Sequence, residues 1–302
     1  NAANGTITGK AEDTTSLNLK TGNVTVGGTA AIGAAIEAAI YRNTVTAMIG
    51  NNCKVLAKAI LVQAASDRGI TAKAVMAGAG GTASVNGSIL VLSIGAATTD
   101  SDANNANGSG NSSSNASDEA SKRGQAAVDH GYGQTVGAGN QGNQYVDEAN
   151  SIINGLANDN KSLINGYFTS TSVDDKTYAG IGDNGSTTAK DGDVTVEATE
   201  KTKLDAIAGA ASGSGTVSVG ISMNLAIING TAEARLGGTV KADKGNVKVH
   251  AQNILNIPNF ISSGGGVSGS ASVAGTISVI KVGEKATAYI APNAKVYADG
   301  NV

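Results

Sequence analysis

TVSVGISMNLAI, residues 216–227, alternates without a break: Val217, Val219, Ile221, Met223, Leu225 and Ile227 take one phase, and Ser218, Gly220, Ser222, Asn224 and Ala226 take the other. A period of two marks an extended strand, because successive side chains leave a pleated backbone on opposite sides. Twelve residues in that conformation span about 40 Å, too long for one side of a small coil. The stretch predicts a strand with one buried face, the one that carries valine and isoleucine.

A second stretch looks different. AIGAAIEAAI, residues 31–40, places isoleucine at 32, 36 and 40 among alanines, a spacing compatible with a helix as well as a strand. Sliding the chain against itself resolves the ambiguity. An offset of 187 lays Gly5-Thr6-Ile7-Thr8 on Gly192-Asp193-Val194-Thr195 and needs no gap as far as Gly50 against Gly237. Under that offset Ile32, Ala34, Ile36, Ala38 and Ile40 fall on Val219, Ile221, Met223, Leu225 and Ile227. The helical look is therefore a disguise, and the stretch predicts a second strand with the isoleucines on the buried face.

Further copies of the pattern are present. Ala59-Ile60-Leu61-Val62 and Gly245-Asn246-Val247-Lys248 repeat the first motif, and Gly300-Asn301-Val302 starts it again. A later motif recurs as TVTAMIG (44–50), TYAGIG (177–182), TAEARLG (231–237) and KATAYIA (285–291), which anchors Ile49, Ile181, Leu236 and Ile290. The anchors are 132, 55 and 54 residues apart, so the period is about 54 and the first interval exceeds it by about 78. Residues 98–175 account for the excess, since TTDSDANNANGSGNSSSNASDEASKRG and the rest of that segment match nothing in the other copies.

The copies also share a change of phase. Val267, Gly269, Ala271, Val273, Gly275, Ile277 and Val279 give way to Ile280 and Val282, as Val85 and Ile89 give way to Leu90, Leu92 and Ile94. A shift of one residue at the same place predicts a β-bulge or corner. GNVKV and NAKVYAD supply shorter strands, with Gly, Asn and Asp at the turns.

Composition agrees with a thin, repetitive structure. The chain has 42 glycines, 2 prolines, no tryptophan and 3% aromatic residues in 302, with 15% charged. Its core must be built from small aliphatic side chains. One such repeat cannot offset the entropy of ordering its own backbone, whereas stacked repeats add ladders above and below and close a continuous apolar column. The predicted fold is all-β: a right-handed parallel β-solenoid (β-helix) of about 54-residue repeats, with about 27 or about 54 residues per turn and a partly helical insertion. The predicted organisation is strand repeats over 1–97, the insertion over 98–175, and strand repeats again over 176–302. A formal charge of −3 and a pI near 5.4 offer no basic patch for nucleic acid or acidic lipid. No apolar run is long enough for a membrane helix, and the chain reads as a piece of something longer.

The order of these motifs is G-[ND]-V-x-V, a Gly/Ala/Ser-rich stretch, V-x-V alternation, then T-x-A-x-[IL]-G. It resembles the repeat region of the large secreted filamentous adhesins of Gram-negative and Negativicutes bacteria, the leukotoxin-type relatives of filamentous haemagglutinin. The resemblance covers about 220 of the 302 residues, all outside the insertion. It implies an extracellular or cell-surface address, export by a two-partner or autotransporter route, and a part in adhesion, aggregation or biofilm building. The partner implied is a receptor or matrix on a host or bacterial surface, with head-to-tail or lateral self-association into filaments. The family offers no catalytic motif and no cofactor to transfer.

Candidate chemistry is sparse. His250 lies on VKVHAQ at the polar phase, facing solvent by alternation. His130 has Asp129 beside it and Tyr132 two residues on, but neighbours on a turn do not converge as a triad does. Cys53 takes the place of Ala294 in the last copy, which suits a buried, inert thiol. Asp100, Asp102 and Asn104 have calcium-loop spacing, but Asn105 stands where that loop requires glycine, and linker is the expected role. Asp174-Asp175-Lys176 is the tightest charged cluster and the only motive for the alternative reading, a polysaccharide lyase or glycosidase built on a β-helix. The expectation is a non-catalytic structural and adhesive shaft module.

Whatever is specific should sit in the insertion. Residues 98–116 are Asn/Ser/Gly/Asp linker, 117–131 predict a weak helix capped by Ser117, and 143–159 a better one with Tyr145, Ala149, Ile152, Ile153 and Leu156 on one face. SLINGYF (162–168) ends in adjacent aromatics. Two roles are open for this segment. It packs its apolar stripe back on the strands, or it presents Tyr132, Tyr145, Tyr167 or Phe168 to a partner.

Overall fold

The structure is a computed structural model and describes residues 2–95 and 175–302. Among them are fifteen strands and no helix. In chain order these are β1 (Ala2–Gly27), β2 (Ala30–Tyr41), β3 (Thr44–Ile49), β4 (Lys54–Gly80), β5 (Ala83–Gly95), β6 (Lys176–Ile181), β7 (Ser186–Ala189) and β8 (Val194–Ser214). They continue with β9 (Val217–Asn229), β10 (Thr231–Leu236), β11 (Thr239–Ala242), β12 (Val247–Ser268), β13 (Ala271–Val282), β14 (Lys285–Ile290) and β15 (Lys295–Ala298).

The pattern is one motif run four times: a long strand, a middle strand, a six-residue strand and a four-residue strand. Like pairs with like, always in parallel. The long strands stack as β1-β4-β8-β12, the middle strands as β2-β5-β9-β13, and the six-residue strands as β3-β6-β10-β14. Residues 54–57, at the start of β4, stack with β7, β11 and β15. One ladder joins Ile7, Ile60, Val194 and Val247, and another joins Ile49, Ile181, Leu236 and Ile290. These are the ladders that the motif spacing predicts.

Within each copy the long strand faces the shorter ones, and two apolar clusters fill the space between. Val45, Ala47, Ile60, Val62, Ile181 and Leu236 belong to the first, between the six-residue strands and the N-terminal halves of the long ones. Leu90, Leu92, Ile94, Ala206, Ala208 and Ile228 belong to the second, between the middle strands and the C-terminal halves. Alanine is frequent in both, which lets the facing backbones approach closely and explains the scarcity of aromatic residues.

Toward the N-terminal end of the middle strands the layers close further and the interior turns polar. A Cβ on Gly220 would collide with the Gly265 carbonyl, so backbone meets backbone there. Ser212 Oγ donates to the Ser84 carbonyl at 2.9 Å, and Asn86 Nδ2 donates to Ser84 Oγ at 2.9 Å and Ser212 Oγ at 3.0 Å. Asn224 Nδ2 donates to the Ala206 carbonyl at 3.2 Å. The serine and asparagine phase of the alternation is therefore the one that faces the long strands.

That overturns one expectation in each of the two opening stretches. AIGAAIEAAI is a strand, lying in β2 with Ile32 opposite Val85 and Ile36 opposite Ile89. Its buried residues are alanines, with Ala31 and Ala35 at 4% and 1% exposure, while Ile32, Ile36 and Ile40 are 42%, 38% and 41% exposed. TVSVGISMNLAI, in β9, is buried on both faces: Met223, Leu225 and Ile227 join Ile89 and Val91 in a third cluster on the side away from the long strands. The reason is steric, since the narrow gap admits Ala, Ser, Gly and Asn and turns the branched side chains outward.

The shared change of phase is not a bulge. Register runs unbroken through β2, β5, β9 and β13. Leu90, Leu92 and Ile94 face inward while Ile89 and Val91 face outward, so the strand end is apolar on both sides. Shifts in register fall instead between Ala2 and Thr6 in β1 and between Asn256 and Asn259 in β12, where Pro258 lacks the N–H that the ladder needs. The predicted helices at 117–131 and 143–159 lie outside the described residues. So do the run Asp100, Asp102 and Asn104, as well as His130, Tyr132, Tyr145, Tyr167 and Phe168.

Candidate functional site

Long strands with period-two alternation should carry only small or apolar groups at inward positions. Midway along, they break that rule. On the inward face, register stacks Asp13, Ser66, Glu200 and Asn253 in one ladder, and Thr15, Arg68, Thr202 and Leu255 in the next. Opposite these ladders are the corners where each middle strand ends and the six-residue strand begins. The corners supply Tyr41, Arg42, Asn43, Asp175, Gly230 and Glu284. The result is a buried ion cluster between the first two apolar ones.

Arg68 is its centre. The guanidinium places Nη2 2.8 Å from Asp175 Oδ1 and 3.2 Å from Glu200 Oε1, while Nε donates to Ser66 Oγ at 3.2 Å. The ring of Tyr41 lies 5.6 Å from the guanidinium carbon. Asp175 also accepts from the Asn43 backbone N–H at 2.7 Å. Arg68, Asp175 and Glu200 are 1%, 2% and 0% exposed. Arg42, beside them, donates to the Tyr41 and Ser93 carbonyls at 3.0 Å each and to Ser93 Oγ at 2.9 Å.

Three carboxylates thus face one fully buried cation, and their electrostatics reflect it. Burial pushes the Glu200 carboxyl up to about 7; Arg68 opposes the shift, and Asp175 and Glu284 reinforce it. Burial also raises Asp175, with Arg68 and the Asn43 N–H opposing, and Glu284, with the Asn253 amide, Arg68 and the Gly230 N–H opposing. Burial lowers Arg42, against the attraction of Asp175. Gly230 is required at its corner, because a Cβ there would lie within 3.0 Å of Glu284 Oε2, Glu200 Oε1 and Asn253 Nδ2.

Chemically the cluster can hold charge and protons, but its central side chains are sealed from any substrate. Among the described residues no group of three His, Cys, Asp or Glu side chains could hold a metal ion. Asp175, from the motif that motivated an enzyme, is a structural ion-pair partner, and Lys176 opens β6. Arg68, Glu200 and Glu284 do not figure among the candidates drawn from sequence. Their signal was a charge at the apolar phase: Arg68 shares its phase with Val62, Ile70 and Ala72, and Glu200 with Val194, Val196 and Leu204.

The remaining candidates are not brought together. His250 is half-buried, on the polar face and in register with Glu197. Cys53 is half-buried too, against the expectation of a fully buried thiol, in the short link between the turn at residues 51–52 and β4. On the outer face of the six-residue strands, Arg235 Nη2 contacts both oxygens of Asp183 at 2.6 Å, and Tyr289 Oη donates to Glu233 Oε1 at 3.0 Å. A shallow groove of about 450 Å³ runs past Asp183, Arg235, Thr239, Pro292 and Lys295. Tyr297, 54% exposed, lies under Lys241 Nζ at 5.4 Å. Among the described residues no helix is long and apolar enough to cross a membrane. Comparison with protein-family models, with curated proteins and with solved structures found no match.

Proposed function

We propose that the chain is a length of right-handed parallel β-solenoid, with about 54 residues per turn, that serves as the structural and adhesive shaft of a filamentous bacterial surface or secreted adhesin. The observation that carries this reading is the in-register parallel stacking of four copies around an interior whose charged groups form an ion cluster sealed from solvent. Catalysis needs reacting groups that a substrate can reach, and Arg68, Asp175 and Glu200 are given over to one another. A shaft needs the reverse: repeated ladders, a continuous apolar column and outer faces free to vary. The resemblance to filamentous adhesins supplies the extracellular address and the adhesive role, and the insertion at residues 98–175 is the binding excursion, with Tyr132, Tyr145, Tyr167 and Phe168 as its contacts.

Beads coated with the full chain should be retained on bacterial or epithelial cell layers above the level of albumin-coated beads. Retention should fall at least severalfold when Tyr132, Tyr145, Tyr167 and Phe168 are all changed to Ser. Retention no greater than that of albumin would sink the adhesive role. New reducing ends or unsaturated sugars on incubation with a polysaccharide panel would replace it with the carbohydrate-active enzyme.

A further inference from the structure

Of the three carboxylates in the ion cluster, Glu200 shares Arg68 with Asp175, and Glu284 has no cation in contact among the described residues. Asp175 is matched by Arg68 and by the Asn43 N–H. Glu200, on β8, and Glu284, between β13 and β14, both reach toward the Cβ position that Gly230 leaves vacant. All four of their oxygens are buried and none meets a donor within ordinary hydrogen-bond geometry; the donors that come nearest, apart from Arg68, are the Thr231 N–H for Glu200 and the Asn253 amide and Gly230 N–H for Glu284. Glu200 has the 3.2 Å contact with Arg68, whereas Glu284 makes no such contact with a cation among the described residues.

The groups that face the pair come from every neighbouring element. Arg68 stands on β4, Asp175 at the entry to β6, Arg42 at the corner between β2 and β3, and Asn253 on β12, while Lys201 and Lys203 project from the opposite face of β8. Arg68 is shared with Asp175, and Arg42 is hydrogen-bonded to Tyr41 and Ser93. One negative charge is left over in a low-dielectric interior. Two like charges in such a site cannot both remain ionised without a counter-charge, and a single proton supplies the charge as well as the missing donor. A metal would need more convergent ligands than the described residues bring together here.

We propose that Glu200 and Glu284 share one proton across the junction between the third and fourth copies of the strand motif, and that this proton ties the fourth copy to the stack. Glu200 belongs to the third copy and Glu284 to the fourth, so the shared hydrogen bond crosses the junction between them. Loss of the proton puts two carboxylates face to face across that junction, and the fourth copy then loosens first.

The raised carboxyls set the sign of the pH dependence. The folded chain keeps a proton that the unfolded chain releases near 4.5, so the stabilisation is complete below about 4.5 and is lost as the pH climbs through about 7. Thermal melting of the full chain, followed by circular dichroism from about pH 5.5 to about 8.5, tests this. The expected result is a Tm lower by roughly 5 °C or more at the alkaline end, with the fall much reduced in Glu284→Gln and in Glu200→Gln. A flat or rising Tm, or the same fall in both variants as in the wild type, overturns the proposal. Calcium chloride that restores the alkaline Tm of the wild type but not of Glu284→Gln also overturns it, by making a cation the tie. Should the variants fail to fold, the infrared spectrum of the wild type decides. A protonated-carboxyl band present near pH 6 and gone near pH 8.5 supports the shared proton, and its absence near pH 6 overturns it.

Discussion

Arg68 and Gly230 show how far a single residue can set the terms for its neighbours. Arg68 is the fully buried cation that faces Asp175 and Glu200, both sealed from water. Removing one partner of a buried ion pair leaves the others uncompensated, at a cost of about 3–5 kcal/mol. Arg68→Met should therefore lower the urea unfolding free energy by that order. The quadruple variant Arg68→Met, Asp175→Asn, Glu200→Gln, Glu284→Gln should lose far less, since no carboxylate of the cluster is left without its cation; equal losses in the single and quadruple variants would show that the ion pairs do not govern this position. Gly230→Ala crowds two carboxylates and an amide, and overpacking of this kind costs about 1–3 kcal/mol. Urea unfolding of Gly230→Ala that matches the wild type would contradict the crowded corner.

At the scale of the element, β2 is legible as a strand in the sequence alone, because its alignment on β9 replaces an ambiguous spacing of four with an unambiguous period of two. Which face it buries is not legible. Hydropathy assigns the isoleucines to the interior, yet the gap between long and middle strands accepts only small side chains, so Ala35 is inside and Ile36 is outside. Ile36→Lys should change stability by no more than about 0.5 kcal/mol, as surface substitutions do, whereas Ala35→Lys should cost more than about 4 kcal/mol by burying a charge in occupied space. Melting temperatures of the two variants settle the orientation, and the reverse order would restore the isoleucine face to the core. Middle strands also explain why the phase change misleads: a strand end with apolar residues on both faces looks, in sequence, the same as a bulge.

For the whole molecule, the copies are joined by ladders whose residues are far apart in sequence, as with Ile60 and Val194 across the insertion. Asp175, the last residue that the repeat spacing assigns to the insertion, pairs with Arg68 of the stacked strands. Two deletions separate the assignments. Removal of residues 98–174 retains the Arg68 partner, while removal of 98–175 leaves Arg68 and Glu200 without it. The longer deletion should be the less stable by about 3 kcal/mol or more in urea unfolding, with β-rich circular dichroism in the shorter one. Equal stability of the two would place Asp175 outside the working structure.

The sequence by itself determined the period, the ladder partners and the all-β, parallel character. Repeats that stack in register must repeat their alternation and their turn residues at a fixed spacing, and that regularity is written along one dimension. Only the tertiary structure decided the thickness of the layers, and with it which phase is buried, where a charge at an apolar phase finds its counter-charge, and why Gly230 has no side chain. Those properties depend on how closely facing strands approach across the interior, a distance that alternation along a single strand does not encode.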